Sequence, residues 1–330
     1  MTIAVVILNW NGRALLEQFL PSVVKYSSEA NVYVADNAST DDSVVFVTNN
    51  FPSVKIIQNQ ENGGYARGYN QALSTLTEDI FVLLNSDVEV TDGWLEPVIS
   101  VFVDEPKTVA AQPKILDFKD RSKFEYAGAA GGFIDSLGYP YCRGRIFQTI
   151  EADHGQYNDV IPVFWATGAS LFIRSSSFRE VQGFDEDFFA HQEEIDLCWR
   201  LQALGGTVMY VGTSKVYHVG GATLEDSNPT KTFYNFRNTL FMLLKNVKGP
   251  KVYGLIVLRM ILDALAGLQF LFKGQFGHFF AILKAHFSFY SFFPRFLKKR
   301  KKHATSLDYS KIKSVVWRYF ILKKRNFNEL

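Results

Sequence analysis

The sequence predicts an α/β protein whose central sheet is mostly parallel and is covered by helices on both faces. In the first 111 residues, short apolar runs rich in β-branched residues alternate with amphipathic segments. Continuous apolar strands separated by helices are typical of a parallel sheet that is buried on both faces. With 330 residues, of which 47% are hydrophobic and 21% charged, the chain can form an ordered α/β domain with an appended region.

The predicted elements follow one another regularly. Strands are expected at residues 3–8, 32–36, 54–57, 80–84 and 108–111. The intervening segments have apolar residues three or four positions apart, which predicts helices at 14–26, 43–51, 66–76 and 93–104. Beyond residue 112, the pattern predicts a strand at 163–173, a helix at 193–205 and a strand at 208–211.

The region after residue 245 has a different composition. Residues 255–272 are nearly all apolar but carry Arg259 and Asp263 on one helical face, and eleven aromatic residues between 270 and 296 precede the basic run 298–302. Charges at the centre of a membrane-spanning helix are costly, whereas an apolar face beside basic residues is typical of a helix lying on an anionic membrane. We therefore expect 246–330 to be an amphipathic, membrane-associating region. A helical hairpin packed on the core is the alternative.

The sequence excludes several classes of protein. Residues 1–12 lack the basic region and cleavage site of a signal peptide and are expected to form a core strand. The two cysteines, Cys142 and Cys198, lie in no CxxC pattern, which fits a reducing compartment. The chain has no GxGxxG after its first strand, no Walker A motif and no HExxH. Nucleic-acid-binding motifs are also absent, so nucleic acid is not an expected partner.

Three polar clusters follow predicted strands. Asn9 and Asn11 follow the first strand, residues 36–42 end the second, and residues 85–87 follow the fourth. Turn formation alone explains one such cluster. Because open α/β sheets bind ligands beyond the carboxyl ends of their strands, three clusters at one edge indicate a binding site.

The residue types in these clusters suggest roles. Asp36 can accept an N–H group of a pyrimidine base, and Asn37 and Ser39 can bind the base or ribose or cap the next helix. Asp87 offers a carboxylate oxygen to Mg²⁺ or Mn²⁺, which would bridge a diphosphate. Arg67 follows a glycine turn and offers a bidentate phosphate donor; a solvated helix residue is the alternative.

A second group of carboxylates lies in the other half. Glu193, Glu194 and Asp196 open a predicted helix after an aromatic loop. Acids favour a helix N-terminus, which is a purely structural explanation. Crowding beside apolar rings would also raise their pKa values, as a general base requires. His218 is a candidate nitrogen ligand or an ordinary structural histidine.

Seven motifs follow in order along the chain: VVILNWNG, DNASTDDS, ENGGYARGYN, LLNSDVEV, WATGASLFIR, GFDEDFFAHQEEIDLCWR and HVGG. Together they resemble glycosyltransferase family 2, and within it the bacterial rhamnosyltransferase-like branch that builds surface polysaccharides. The resemblance covers roughly residues 1–245. It implies the nucleotide-diphospho-sugar transferase (GT-A) fold and inverting transfer from a UDP- or dTDP-sugar, dTDP-rhamnose among them, to a glycan or lipid-linked acceptor.

The resemblance also implies roles for individual residues. Glu194 would be the catalytic base, with Glu193 and Asp196 as alternatives, and Asp87 and His218 would hold Mg²⁺ or Mn²⁺. Trp165, Gly168 and Ala169 would line the acceptor pocket. The residues expected to bind the donor are Asn9, Asn11, Asp36, Asn37, Ser39, Asn62, Gly63, Gly64, Arg67, Asn70, Asn85, Ser86 and Asp87.

The chain departs from the family pattern at two positions. Asn85 replaces the first acid of the DxD motif, and Glu194 replaces the commoner Asp.

We expect residues 1–111 to bind the nucleotide and residues 112–245 to bind the acceptor and carry out catalysis. We expect the enzyme to lie on the inner face of the plasma membrane as a cytoplasmic, peripheral protein. A sugar nucleotidyltransferase and a non-catalytic, membrane-bound sugar-binding module are the alternatives.

Overall fold

The computed structural model describes residues 1–220 and 228–330; the last glycine of the HVGG motif lies outside these ranges. The strands are β1 (Ile3–Asn9), β2 (Asn31–Asp36), β3 (Lys55–Gln58), β4 (Ile80–Asn85), β5 (Val88–Val90), β6 (Thr108–Asp117), β7 (Gly132–Ile134), β8 (Pro140–Cys142), β9 (Arg145–Ile146), β10 (Thr149–Ile150), β11 (Val160–Val163), β12 (Ser170–Arg174) and β13 (Thr207–His218). The helices are α1 (Arg13–Tyr26), α2 (Ser43–Asn50), α3 (Gly64–Ser74), α4 (Glu96–Asp104), α5 (Ser175–Glu180), α6 (Glu193–Ala203), α7 (Pro229–Asn246), α8 (Lys251–Phe272) and α9 (Phe276–His303).

The central sheet has nine strands in the order β11-β13-β6-β12-β4-β1-β2-β3, with β5 paired to β13. β1 pairs in parallel with β2 and β4, and β2 pairs in parallel with β3. β12 lies antiparallel between β4 and β6, and β6 pairs in parallel with β13. Six strands therefore run in one direction, which confirms the predicted mostly parallel sheet.

Alternate residues of β1 enter different cores. Val6 lies in the core on one face with Tyr69 of α3, while Val5 and Ile7 join Leu16 of α1 in the core on the other face. Side chains alternate along a strand, so a strand that is apolar throughout needs helices on both of its faces. The predicted two-sided cover is confirmed.

The predicted strand at 163–173 is interrupted, because β11 ends at Val163 and β12 begins at Ser170. The chain between them leaves the sheet toward β7, where the backbone N–H groups of Phe164 and Trp165 donate to Gly132 O at 2.9 and 3.1 Å. β7 also belongs to a small sheet of order β10-β9-β8-β7. This sheet escapes prediction because strands of two or three residues are too short to show an alternating pattern.

The region after residue 245 packs on the rest of the chain. α9 lies against α7 and α8, and its Phe289 and Phe296 belong to the same core as Val6 of the sheet. The ring of Phe296 stacks on Phe241 of α7 with centroids 3.9 Å apart. The boundary predicted at residue 245 thus falls in the last turn of α7, where the packing is continuous.

One face of α8 is buried and carries Arg259 and Asp263, and the other is largely apolar and exposed. By length and composition, α8 is the one helix among the described residues that could cross a membrane. The two charged residues near its middle nevertheless face the protein: Arg259 Nη1 donates to Leu137 O at 2.8 Å, and Asp263 lies 3.4 Å from both Arg259 and His286. The exposed apolar side chains include Val257, Leu258, Ile261, Leu265 and Leu268. The helices α8 and α9 therefore pack on the rest of the chain, as the hairpin alternative predicts. At the same time α8 keeps an exposed apolar face, which the membrane-associated alternative requires.

A buried ion-pair cluster joins α6, α7 and α9. Asp196 of α6 is fully buried and lies 2.8 Å from both Arg200 Nε and Lys245 Nζ. Lys245 also binds Asp185 at 2.7 Å, and Lys299 of α9 pairs with Asp185 as well. Burial acts to raise the pKa of Asp196, but Lys245 and Arg200 lower it well below its usual range.

Replacing Lys245 tests this cluster. Lys245→Met keeps most of the side-chain volume but leaves Asp185 and Asp196 short of a cation, so the free energy of unfolding should fall by about 3 kcal/mol. Urea denaturation followed by circular dichroism measures the change. Lys301→Met, at an exposed position of α9, should change it by less than about 0.5 kcal/mol. Equal stabilities of the two variants would contradict the role of the cluster.

Candidate active site

The ends of β1, β2 and β4 meet at one edge of the sheet, as predicted, and the polar residues that follow β1 and β2 bind one another. Asn9 Nδ2 donates to Asp36 Oδ1 at 3.1 Å and to Ser39 Oγ at 3.2 Å. The other oxygen of Asp36 accepts the backbone N–H of Ser39 at 3.0 Å, and the N–H of Asn11 donates to Ser39 Oγ at 2.9 Å. Asp36 is only 2% exposed, so it organises these loops; its contact with a base stays a prediction.

The loop before α3 is held against the same edge. Asn37 Nδ2 donates to Asn62 Oδ1 at 3.0 Å and to Gly64 O at 3.1 Å. Gly63 is the N-cap of α3. Gly64 has a φ of +69°, and a Cβ there would lie 2.8 Å from the ring of Phe189. Only glycine suits that position, because other residues would be strained and would clash.

Asp87 and His218 face each other beyond β4 and at the end of β13. Asp87 Oδ1 lies 3.1 Å from His218 Nε2, and Glu125 Oε1 lies 3.4 Å from the other ring nitrogen. Burial acts to lower the pKa of His218, but Glu125 and Asp87 raise it to about 10. Asn85, which stands in place of the first acid of DxD, lies 3.4 Å from the same Nε2.

The Asp87–His218 pair fits a divalent ion that a second molecule also binds. Within residues 1–220 and 228–330, no group of three or more His, Cys, Asp or Glu side chains is arranged to hold a metal ion by itself. The pair offers one carboxylate oxygen and one ring nitrogen, both buried. Mg²⁺ and Mn²⁺ both accept the carboxylate and take water and phosphate oxygens at their other positions, and the softer Mn²⁺ also accepts a ring nitrogen. An ion bound here would replace the proton between Asp87 and His218.

Glu193 and Glu194 open α6 with their carboxylates near Tyr65. Burial raises the pKa of Glu194 to about 7. Burial, together with the charge of Glu194, also raises the pKa of Glu193. One oxygen of each carboxylate is shielded from solvent and has no hydrogen-bond partner in the described part of the chain. Buried polar atoms are normally satisfied, so these oxygens indicate a place where a ligand donates.

The loop before α6 is strained and firmly anchored. Phe189, His191 and Gln192 have φ values of 65°, 68° and 71°, which are costly for residues other than glycine and are common at functional sites. Asn238 of α7 is fully buried and donates to three carbonyl oxygens of residues 188–191 at 2.7–3.0 Å. The anchoring holds Glu193 in a defined position.

Hydrogen bonds connect the loop before α6 to the polar sheet edge. The N–H of Asn85 donates to Ala169 O at 3.0 Å, and the hydroxyl of Tyr65 donates to Gly168 O at 2.8 Å. The N–H of Tyr65 donates in turn to Phe189 O at 2.9 Å. Gly168 and Ala169 therefore lie between the end of β4 and the loop before α6.

Two predicted site residues are placed elsewhere by the structure. Asp196 lies inside the ion-pair cluster with Lys245, where it cannot take a proton from a substrate. Trp165 is 4% exposed and donates its indole N–H to Phe133 O at 3.0 Å. It therefore supports residues 164–169 from beneath instead of lining a pocket.

The other donor-binding candidates have mixed surroundings. Asn70 uses both ends of its amide to bind the backbone of Phe184, at 2.9 and 3.0 Å, so it joins α3 to the loop before α6 and does not face a diphosphate. Arg67 is half-exposed and pairs with Glu61 at 2.6 Å. Ser86 is half-buried in the turn between β4 and β5.

Several further residues of this site have little or no signal in the sequence. Glu125 contacts His218, Tyr65 binds Gly168, and Asn59 donates to Asn37 Oδ1 at 3.1 Å. An isolated acid just before the glycine-rich stretch AGAAGG is a signal for Glu125. Asn238 has no comparable signal, because nothing in its neighbourhood shows that it faces the loop before α6.

Comparison with known proteins defines the class. The sequence model described as Glycosyl transferase family 2 matches residues 4–173, just over half of the 330 residues. The chain belongs to this family, as its motifs predict.

Two curated glycosyltransferases are similar in sequence to more than half of this chain. The chain is 29% identical over 220 residues to N-acetylglucosaminyl-diphospho-decaprenol L-rhamnosyltransferase of Mycobacterium tuberculosis, covering 62% of this chain and 71% of that protein. It is 29% identical over 185 residues to pre-mycofactocin glycosyltransferase of the same organism, covering 55% of this chain but only 35% of that protein. The predicted similarity to the rhamnosyltransferase-like branch is confirmed.

Solved structures share the fold. GalNAc-T7 with UDP, GalNAc and Mn²⁺ aligns with a TM-score of 0.60 at 16% identity, covering 76% of this chain and 49% of that one. The mannosyltransferase PcManGT from Pyrobaculum calidifontis with GDP-Man and Mn²⁺ aligns with a TM-score of 0.52 at 13% identity, covering 88% and 75%. This chain thus spans about half of the GalNAc-T7 chain. The predicted GT-A fold is confirmed.

Thermal unfolding with added ligands tests the Asp87–His218 pair. UDP, dTDP and GDP are screened with and without Mn²⁺, because a ligand at 100 times its Kd stabilises a protein by about 2.7 kcal/mol. Asp87→Asn should abolish the part of the stabilisation that depends on Mn²⁺. Glu89→Gln, two residues further on, should retain it. An unchanged Mn²⁺ effect in Asp87→Asn would place the ion elsewhere.

Proposed function

We propose that the chain is an inverting, divalent-metal-dependent glycosyltransferase that moves a sugar from a nucleotide-diphosphate donor to a glycan or lipid-linked acceptor in cell-surface polysaccharide biosynthesis. One arrangement carries the proposal: Glu193 and Glu194, two carboxylates with raised pKa values, follow a loop that Tyr65 joins by hydrogen bonds to Gly168, next to the sheet edge that holds Asp87 and His218. The first pair suits a general base, and the second suits a metal-bound diphosphate. Membership of glycosyltransferase family 2 supports it.

Each part of the reaction has a suitable side chain. Asp87 and His218 would hold Mg²⁺ or Mn²⁺, which when bound offsets the charge of the departing nucleoside diphosphate. Glu194 accepts the proton of the acceptor hydroxyl as that oxygen attacks the anomeric carbon. Attack from the face opposite the leaving group inverts the configuration. Glu193 stays protonated while Glu194 is ionised, because two buried charges so close repel each other.

The donor in this proposal is a UDP- or dTDP-sugar. Asp36 can pair with the imide of a pyrimidine base, and Asn62, Gly63 and Gly64 form the loop expected to border the diphosphate. Solved neighbours were crystallised with UDP or with GDP-Man, which supports a nucleotide-sugar donor. dTDP-rhamnose is our first candidate, because the M. tuberculosis relative is named as an L-rhamnosyltransferase.

The proposed place of action is the cytoplasmic face of the plasma membrane, with the enzyme bound as a peripheral protein. The outward face of α8 is apolar, and Lys298 and Lys301 of α9 are exposed to interact with anionic lipid. The name of the M. tuberculosis relative describes an acceptor on diphospho-decaprenol. A lipid-linked acceptor in this protein would lie in the same membrane.

Glu194→Gln tests the assignment of the base. Transfer, measured as nucleoside diphosphate released from a panel of UDP- and dTDP-sugars, should fall by a factor of about 10²–10⁴. In the unmodified enzyme, kcat/KM should rise with pH up to about 7, because below the raised pKa of Glu194 this carboxyl already holds a proton. Glu180→Gln, an exposed carboxylate at the end of α5, should behave like the unmodified enzyme.

Two results would count against the proposal. Normal turnover in Glu194→Gln would remove this residue as the base. Release of pyrophosphate from a nucleoside triphosphate would favour a sugar nucleotidyltransferase.

Flotation with lipid vesicles tests membrane attachment. The protein should float with phosphatidylglycerol vesicles at low salt and less with phosphatidylcholine, because exposed lysines attract anionic headgroups. Ile261→Ser combined with Leu265→Ser, on the exposed face of α8, should weaken flotation. Val45→Ser combined with Val103→Ser, which are exposed elsewhere, should not. Failure of the unmodified protein to float would rule out the membrane surface.

A further inference from the structure

The imidazole ring of His218 lies between two buried carboxylates. Asp87 Oδ1 is 3.1 Å from one ring nitrogen, Nε2, and Glu125 Oε1 is 3.4 Å from the other, Nδ1. Glu125 is 3% exposed, and the proposed reaction does not use it. Nδ1 is shielded from solvent and has no other hydrogen-bond partner within the described residues. Glu125 is therefore the polar group that faces this side of the ring.

The surroundings of Glu125 direct one of its oxygens at the ring. Oε2 accepts the backbone N–H of Ala127 at 2.5 Å, and the N–H of Glu125 itself donates to Ile115 O of β6 at 3.1 Å. Gly220, the first glycine of the HVGG motif, has a φ of +69°, and a Cβ there would lie 2.7 Å from Oε1. Glycine at this position leaves the space that the carboxylate fills beside His218.

The sheet fixes the backbone of His218 but not the direction of its ring. His218 is paired with Val88 of β5, and the N–H of Val219 donates to Asp87 O at 3.1 Å. These backbone bonds leave the ring free to rotate about its side-chain bonds. Asp87 and Asn85 both face Nε2, which is the nitrogen that a bound ion would occupy. Once an ion is there, Glu125 is the polar contact that still orients the ring.

The chemistry of a neutral imidazole assigns a role to this contact. The ring carries one N–H, and a nitrogen that binds a metal ion carries no proton. With Nε2 on the ion, the proton stays on Nδ1, where Glu125 Oε1 can accept it. Histidines that bind metals usually donate their second N–H to a carboxylate or a carbonyl, which fixes both the tautomer and the direction of the ring.

We propose that Glu125 is a positioning residue that makes the site prefer Mn²⁺ to Mg²⁺. By accepting the Nδ1 proton of His218, it presents Nε2 beside the carboxylate of Asp87. Mn²⁺ accepts a ring nitrogen, whereas Mg²⁺ is bound through oxygen atoms and gains little from it. The inference rests on the proposed function, to which it adds the choice of ion and the residue that determines it.

Metal titrations of Glu125 variants test the proposal. Glu125→Gln keeps the side-chain volume, and its single oxygen can still serve Ala127. Its NH₂ group then faces Nδ1 and can only donate, so the ring proton moves to Nε2 and blocks the ion. With UDP held constant, the Mn²⁺ concentration that gives half of the full thermal stabilisation should rise by about 10–100-fold. The corresponding Mg²⁺ concentration should hardly change.

Three further variants complete the titration. Glu125→Leu has no acceptor and should match Glu125→Gln, whereas Glu125→Asp keeps both oxygens and should fall between these variants and the unmodified protein. Glu78→Gln is the matched control, because Glu78 is also a buried carboxylate and accepts the Tyr33 hydroxyl at 2.7 Å. It should shift neither ion. Equal shifts for Mn²⁺ and Mg²⁺ in the Glu125 variants would overturn the proposed preference.

Pulsed electron paramagnetic resonance of bound Mn²⁺ tests the position of the ring directly. A bound imidazole nitrogen couples magnetically to Mn²⁺, so the unmodified protein with UDP should show this coupling and His218→Ala should lose it. Glu125→Gln and Glu125→Leu should lose it too. If these variants are less stable without metal but keep the full nitrogen coupling, Glu125 has a merely structural role and the proposal is wrong.

The unmodified protein separates failure of this inference from failure of the proposed function. If it releases no nucleoside diphosphate from any sugar donor and Mn²⁺ does not stabilise it, the proposed function is wrong and the role of Glu125 falls with it. If transfer occurs but bound Mn²⁺ shows no nitrogen coupling, or the coupling survives in both Glu125 variants, only the role of Glu125 is wrong.

Discussion

The pairing of Asp185 and Asp196 with Lys245 is the constraint on which the rest of the site depends. Moving a charge out of water costs several kcal/mol, which only close partners offset, and Asp196 is fully buried. Its partners come from α6 and α7, and Lys299 of α9 completes the group by binding Asp185. Charges from three helices thereby hold both ends of the segment that leads into Glu193, and the strained backbone of that segment persists because it is bound so tightly.

The polar edge of the sheet could be predicted because it follows from strand order alone. In a parallel sheet the carboxyl ends of neighbouring strands must meet, so Asn9, Asp36 and Asn85 come together whatever their detailed contacts. The directions of single side chains could not be predicted in this way. Trp165 and Asn70 lie in the expected loops, but packing against residues far along the chain turns them away from the substrate side.

For the region after residue 245, the sequence predicts helices but does not show which side of each helix packs on the protein. A helix that packs on the core and a helix that lies on a membrane both need an apolar stripe, so composition alone left the two structures open. In α8, Arg259 and Asp263 determine which face of the helix packs on the protein, and their partners Leu137 and His286 are distant in sequence. Because those charges face inward, the apolar residues on the opposite side of the helix face outward. Sequence analysis could identify the helix but not which of its sides is bound to protein.

The link between Lys299 and Asp185 spans 114 residues, and this distance has a consequence for biogenesis. A ribosome completes the segment around Asp185 well before it synthesises the residues of α9 that neutralise it. We therefore expect the nascent chain to carry an unfinished site until its last helices dock. The ion pairs that hold the loop before α6 and the docked helices that present the apolar face of α8 then form in the same late folding step. Under the proposed function, activity and membrane binding would therefore appear together.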